Sequence, residues 1–251
     1  MGIKQMASKT LASTTLTLLA GGLATRLRAV TEDALPKSLV EVAGRPFIDH
    51  QLELFKRRGL QRVVLCLGHL GHQIESHVGD GRAFGLKIGY SHDTPGLLGT
   101  GGALRRALPM LGEMFWVVYG DSYVDIDFSA VFDRFIATDK AALMTVLKND
   151  DRWDRSNVEF REGRLVKYDK RNPTLAMRYV DYGVALLRRP ALERIPPARQ
   201  YDLADLYSTL VAEGAMIGYE VADRFYEIGT PAALEETRLF LESQMSHPLP
   251  G

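Results

Sequence analysis

Residues 16–46 read LTLLAGGLATRLRAVTEDALPKSLVEVAGRP, an apolar run that breaks at a glycine pair and passes into a basic loop. Thr15 to Ala20 predicts a buried strand, because a short apolar run bounded by glycine fits a sheet core. Open α/β sheets bind ligands at the carboxyl ends of their strands, so the loop after this strand is a candidate site by position alone. Gly21 and Gly22 would let backbone N–H groups approach an anion, with Arg26 as a planar donor fork and Lys37 as a point charge. The spacing matches neither the G-x-G-x-x-G fingerprint nor a Walker loop, which disfavours dinucleotide binding and P-loop chemistry.

Outward from the loop, short apolar runs alternate with amphipathic stretches of about ten residues, the signature of a sheet with crossover helices. GRPFIDHQLELFKRRG (44–59) predicts a helix with Pro46 at its start, Gly59 past its end and Phe47, Ile48, Leu52 and Phe55 on its buried stripe. RVVLCLG (62–68), LKIGYSH (86–92) and FWVVYGD (115–121) predict further strands, separated by the helices HLGHQIESHV (69–78) and GGALRRALPML (101–111). After Asp125 the pattern changes. SAVFDRFIAT (129–138) predicts a helix, AALMTVLK (141–148) a strand, and NVEFREGRLVKYDKR (157–171) two short strands about the turn REGR. DYGVALLRR (181–189) predicts a strand, LADLYSTLVAEG (203–214) a helix capped by Asp202, MIGYEVADRFYEIG (216–229) a hairpin, and PAALEETRLFLESQ (231–244) a closing helix opened by Pro231.

These elements imply an α/β fold: a mixed, mostly parallel Rossmann-like sheet flanked by helices, with a β-rich insertion for a second ligand. The predicted organisation is a disordered leader over 1–14 and a single domain over 15–245. Within it, 15–125 forms a nucleotide-binding part, 126–230 the second-ligand part and 231–245 the closing helix. Across 251 residues Lys+Arg and Asp+Glu both number 31, so no net field draws the chain to nucleic acid or an anionic membrane. A lone Cys66 inside an apolar run suits a reducing compartment, and no run approaches the roughly 20 apolar residues of a membrane helix. A cytoplasmic protein is expected; homo-oligomerisation is left open. His69, His72 and His77 lie in a polar helix without a partnering Cys or carboxylate at ligand spacing, which reads as a solvated face.

LAGGLATRLR followed by LPKSLVEVAGRPFIDH resembles the signature of the sugar-1-phosphate nucleotidyltransferases, LAGGxGTRLxPxT then LPKxLxxVxGxPxI. Ala24 stands where that family has glycine, and Ala29 where it has proline. The resemblance continues, in family order, at GLLGTGGALRRA (96–107), VVYGDSYVDID (117–127) and FYEIGTPAAL (225–234). It implies transfer of a nucleoside monophosphate from an NTP to a sugar 1-phosphate with release of pyrophosphate and Mg²⁺ as cofactor. Arg26 would grip the triphosphate and Lys37 the α-phosphate, with Leu19, Ala20, Gly21 and Gly22 around the nucleotide and Gly99, Thr100, Gly101 and Gly102 against its base. Asp121 and Glu227 would hold the metal, Glu227 standing where the family has aspartate. NVEF and VKYDKR resemble the family's GVVEF and EEKP, placing Lys170 on the sugar phosphate and Glu159 or Asp169 on hydroxyls, with Arg171 in place of a proline. Asp181 and Gly183 of DYG would lie beside the sugar.

A general likeness to small heptose 1-phosphate guanylyltransferases makes GTP with a mannose- or heptose-type 1-phosphate the first expectation. UTP or CTP is the alternative. A nucleotide-sugar glycosyltransferase would not need Arg26 and Lys37 around a triphosphate, and a non-catalytic sensing subunit would not need metal ligands.

Overall fold

The computed structural model describes residues 11–23, 25–93 and 96–246. Among the described residues thirteen strands run in chain order: β1 (Thr15–Leu19), β2 (Glu41–Val42), β3 (Arg45–Pro46), β4 (Arg62–Leu67), β5 (Lys87–His92), β6 (Met114–Tyr119), β7 (Ser122–Tyr123), β8 (Ala142–Lys148), β9 (Val158–Arg161), β10 (Arg164–Tyr168), β11 (Tyr179–Arg188), β12 (Met216–Val221) and β13 (Tyr226–Glu227). The α-helices are α1 (Arg28–Thr31), α2 (Phe47–Arg57), α3 (Gly71–Val78), α4 (Gly99–Ala107), α5 (Phe128–Ile136), α6 (Arg189–Glu193), α7 (Leu203–Ala212) and α8 (Pro231–Ser246).

The main sheet holds nine strands in the order β10-β9-β11-β6-β1-β4-β5, with β8 added on β11 and β12 on β8. β1 pairs in parallel with β4 on one side and β6 on the other, and β4 with β5. Because β4 and β6 leave β1 in opposite directions, a crevice opens at the carboxyl end of β1, the place where doubly wound sheets receive ligands. The second half is antiparallel about β11, which pairs with β6, β8 and β9. The Rossmann-like layering expected from the alternation is therefore present, and the mixed character enters through β11.

Apolar side chains cover both faces of the sheet. Leu16, Leu18, Trp116 and Val118 pack with Phe55, Phe128, Phe132 and Phe135 of α2 and α5 on one face. Cys66, Phe115, Val117 and Leu187 pack with Leu104 and Tyr207 of α4 and α7 on the other. Asp127 caps α5 by accepting from the Ala130 N–H at 3.0 Å, and Asp202 caps α7 through the Ala204 N–H at 3.0 Å. The REGR turn forms as its sequence implies, with Glu162 and Gly163 both at positive φ.

Two expectations change. The segment 216–229 is not a hairpin: β12 pairs in parallel with β8, and β13 pairs antiparallel with β7. Each strand finds a better partner far away, β12 extending the sheet and β13 closing over the end of β6. The expected leader over 1–14 also shortens. Residues 1–10 lie outside the described set, but residues 11–13 are helical and Leu11 is buried in the core with Leu60. Among the described residues no helix is long and apolar enough to cross a membrane.

Candidate functional site

A cavity of about 450 Å³ opens at the carboxyl ends of β1 and β6. Leu19, Ala20, Gly21, Gly22, Lys37, Ser38, Tyr119, Gly120 and Asp121 line it. Gly21 lies flat against the turn after β4, where a Cβ would stand 3.0 Å from the Gly68 nitrogen, whereas Gly22 is exposed with open space around it. Arg26 is exposed in the turn Thr25–Leu27. Ala24 lies outside the described residues, and the Ala29 side chain is likewise not described.

Lys37 and Asp121, 84 positions apart, meet in the cavity lining with Nζ 2.7 Å from Oδ2. Ser122 Oγ donates to Asp121 Oδ1 at 3.3 Å. Because β13 pairs with β7, Glu227 lies opposite Ser122, and the Ile228 N–H donates to the Asp121 carbonyl at 2.9 Å. Burial raises the pKa of Glu227, and the nearby Asp121 charge raises it further, while Lys37 and Arg26 oppose the shift. The four residues expected to act on phosphate and metal therefore share one electrostatic neighbourhood. Two carboxylates that repel each other beside an anion-binding loop suit a hard divalent cation, which takes few protein oxygens and completes its shell from phosphate and water. Of the three histidines read as a solvated face, His77 pairs with Asp49 at 2.7 Å.

At the other end of the cavity stand Gly99, Thr100 and Ala103 of α4, with Cys66 and Asp93. Asp93 escapes sequence reading. Its Oδ2 accepts from the Leu98 N–H at 3.1 Å, while its Oδ1 is buried without a partner among the described residues. Burial raises its pKa. Gly101 and Gly102, expected against a base, are occupied elsewhere: both N–H groups donate to the Tyr201 carbonyl, at 2.9 and 3.2 Å. A Cβ on Gly102 would lie 2.5 Å from the Arg199 oxygen, so backbone would have to move. Gly102→Ala is expected to lower stability by about 1–3 kcal/mol, the range for overpacking, measured by urea unfolding.

The second group gathers beyond Tyr119. Lys170 Nζ stands 5.9 Å from the centroid of the Tyr119 ring. Asp181 and Gly183 lie on β11; Asp181 Oδ1 accepts from the Gly183 N–H at 3.0 Å, and burial raises its pKa against the pull of Lys170. Glu159 on β9 pairs with Arg161 at 2.8 Å. Asp169 shapes a turn, its Oδ1 accepting from the N–H groups of Arg171 and Asn172 at 3.0 and 2.8 Å, which holds its pKa low. A second cavity of about 400 Å³ lies between that turn and α7.

The family model described as nucleotidyl transferase matches residues 16–244. This chain belongs to the nucleotidyl transferase family. Its blocks are thus explained together, and the glycosyltransferase alternative loses its support. Among the family's members, the N-acetylmuramate alpha-1-phosphate uridylyltransferase of Neisseria meningitidis is 45% identical over 116 residues, 46% of this chain and 50% of that protein. The D-glycero-alpha-D-manno-heptose 1-phosphate guanylyltransferase of Campylobacter jejuni is 28% identical over 219 residues, 85% of this chain and 94% of that protein. In its matches to the first curated relatives the chain spans 50% to 60% of their length. Among solved structures, HddC from Yersinia pseudotuberculosis superposes with a TM-score of 0.77 at 21% identity, covering 91% of this nucleotidyl transferase chain and 99% of that one.

Proposed function

We propose that the protein transfers a nucleoside monophosphate from an NTP to a sugar 1-phosphate, releasing pyrophosphate and forming a nucleotide sugar. The observation that carries this reading is the convergence of Lys37 and Asp121 in the lining of a cavity of about 450 Å³ beside the Gly21–Gly22 loop, with Glu227 brought next to Asp121 by the β13–β7 pairing. A sugar phosphate is already anionic near neutral pH and needs no general base. Catalysis then reduces to holding two mutually repelling anions in line while charge grows on the α-phosphate. Lys37 meets that charge, Arg26 at the loop holds the triphosphate, and Leu19, Ala20, Gly21 and Gly22 cradle it. Gly99 and Thr100 border the base. Asp121 and Glu227 would hold Mg²⁺, which supplies charge neutralisation across the phosphates. Lys170 takes the sugar phosphate, with Asp181 and Glu159 for hydroxyls and Gly183 leaving space beside the ring. Residues 15–125 thus carry the nucleotide and 126–230 the sugar. The expected cytoplasmic location fits the use of an NTP.

For the substrates, the match to the Campylobacter guanylyltransferase spans 85% of this chain and supports GTP with a mannose- or heptose-type 1-phosphate. The buried Asp93 carboxylate in the cavity wall favours the same base. The second reading, UTP with an N-acetylmuramate-type 1-phosphate, is favoured by the higher identity over the shorter stretch shared with the Neisseria protein.

Pyrophosphate release with Mg²⁺ across the four NTPs and a panel of sugar 1-phosphates, with EDTA and sugar-free controls, tests both. A signal with GTP and a manno-configured sugar phosphate, abolished by EDTA, is expected. A signal only with UTP selects the second reading. Silence across the grid, from folded protein that binds a nucleotide, overturns catalysis in favour of a sensing role.

A further inference from the structure

We propose that Tyr119 is a positioning residue for Lys170, its ring holding the ammonium group beside Asp181 and Gly183 of β11. The inference rests on the reading that Lys170 meets the sugar 1-phosphate. Tyr119 is the last residue of β6 and belongs to the wall of the nucleotide cavity. Its backbone is fixed from below, the carbonyl accepting from Gln51 Nε2 at 3.3 Å.

Two observations place the ring beside the ammonium group. Lys170 Nζ stands 5.9 Å from its centroid, within the range of a cation–π contact. Gly183 of β11 stands beside the ring, where a Cβ would reach Tyr119 Cδ2 at 3.5 Å, so the bare glycine leaves the space next to the ring open.

Lys170 needs such a guide. Its side chain is exposed, and among the described residues it makes no ion pair or hydrogen bond. The adjacent Arg171, by contrast, is held by Asp205 at 2.8 Å. A lysine ammonium on a flexible stem samples many directions, so whatever biases it toward the sugar site improves phosphate capture without touching the substrate. The aromatic face supplies that bias, and the Asp181 charge behind it draws the ammonium the same way.

The test is a double-mutant cycle on KM. GTP and mannose 1-phosphate serve as the assay pair unless pyrophosphate release selects another. Tyr119→Leu is expected to raise KM for the sugar 1-phosphate about two- to fivefold, the scale of an exposed cation–π contact, and to leave KM for the NTP within about twofold. Tyr119→Phe, which keeps the ring, is expected to match wild type. In a Lys170→Met background Tyr119→Leu should add nothing, because the partner is gone. The same factor in both backgrounds, equal losses for both substrates, or a Phe variant as impaired as Leu overturns the proposal. Lys170→Met that leaves KM unchanged overturns the sugar-site reading itself, and the role of the ring with it. Should thermal melting show that Tyr119→Leu is unfolded, Tyr119→Met carries the same cycle.

Discussion

Asp121→Ala is expected to reduce kcat/KM at least 100-fold while the protein melts as the wild type does. Asp121 is partly exposed in the cavity lining and packs no core, so its loss should not empty a hydrophobic site. Its carboxylate has two competing uses. In the ligand-free protein it holds Lys37 at 2.7 Å, and during the proposed reaction it would serve a divalent cation instead. In the proposed reaction a triphosphate would resolve that competition by drawing Lys37 to its own oxygens. Lys37→Gln should therefore separate the two roles. Turnover should fall by about 100- to 1000-fold, the effect of removing one preorganised donor to developing charge. Binding of Mn²⁺ to the nucleotide-free protein, followed by electron paramagnetic resonance, should tighten, because no ammonium then occupies Asp121. Asp121→Asn should weaken both. Mn²⁺ affinity unchanged in Lys37→Gln would show that the ion pair does not compete with the metal, and wild-type turnover in Asp121→Ala would remove Asp121 from the site.

Local chemistry explains what was readable in advance. The strand, the glycine pair and the basic loop of residues 15–37 are contiguous, and so are the cap of α7 and the turn at Glu162–Gly163; each depends on nearest neighbours in sequence. The order of the blocks then fixed the nucleotide half of the fold. Contacts between distant elements were less legible. MIGYEVADRFYEIG has two short apolar pieces about a polar centre, and nothing within it says that β12 pairs with β8 and β13 with β7. The glycines of GTGG look alike in sequence. Only the approach of residues 199–203 divides them, leaving Gly99 and Thr100 at the cavity and committing Gly101 and Gly102 to Tyr201. Asp169 reads as a sugar ligand until its turn is seen. Asp93, in SHDTPG, has every mark of a solvated loop residue, and it is burial against the cavity wall that gives it meaning.

Asp93→Asn is expected to change which base the protein accepts. A carboxylate offers acceptors and no donor, so it suits a base edge that presents two adjacent donors. Guanine does so through N1–H and the exocyclic amine. Uracil presents one N–H between two carbonyl oxygens, and a second carboxylate oxygen would face one of those carbonyls. Among the described residues the Oδ1 of Asp93 is buried without a partner, an arrangement costly enough that a ligand donor would be rewarded there. Burial alone raises the carboxyl pKa, and two donated hydrogen bonds would favour its charged form, so binding and ionisation reinforce one another. Asparagine keeps the shape and one acceptor but replaces the other with a donor, which matches uracil's N–H and adjoining carbonyl. kcat/KM for GTP should fall on the order of 100-fold, and the ratio of GTP to UTP should narrow or invert, as expected when a site built for hydrogen bonding loses its match. Kd values for both nucleotides, measured by calorimetry without sugar phosphate, should move in the same directions. An equal loss for all four NTPs would make Asp93 a support for the Leu98 turn alone. A wild type that prefers UTP would instead remove guanine from the proposed reaction while leaving its phosphate chemistry, and the roles of Lys37 and Asp121, in place.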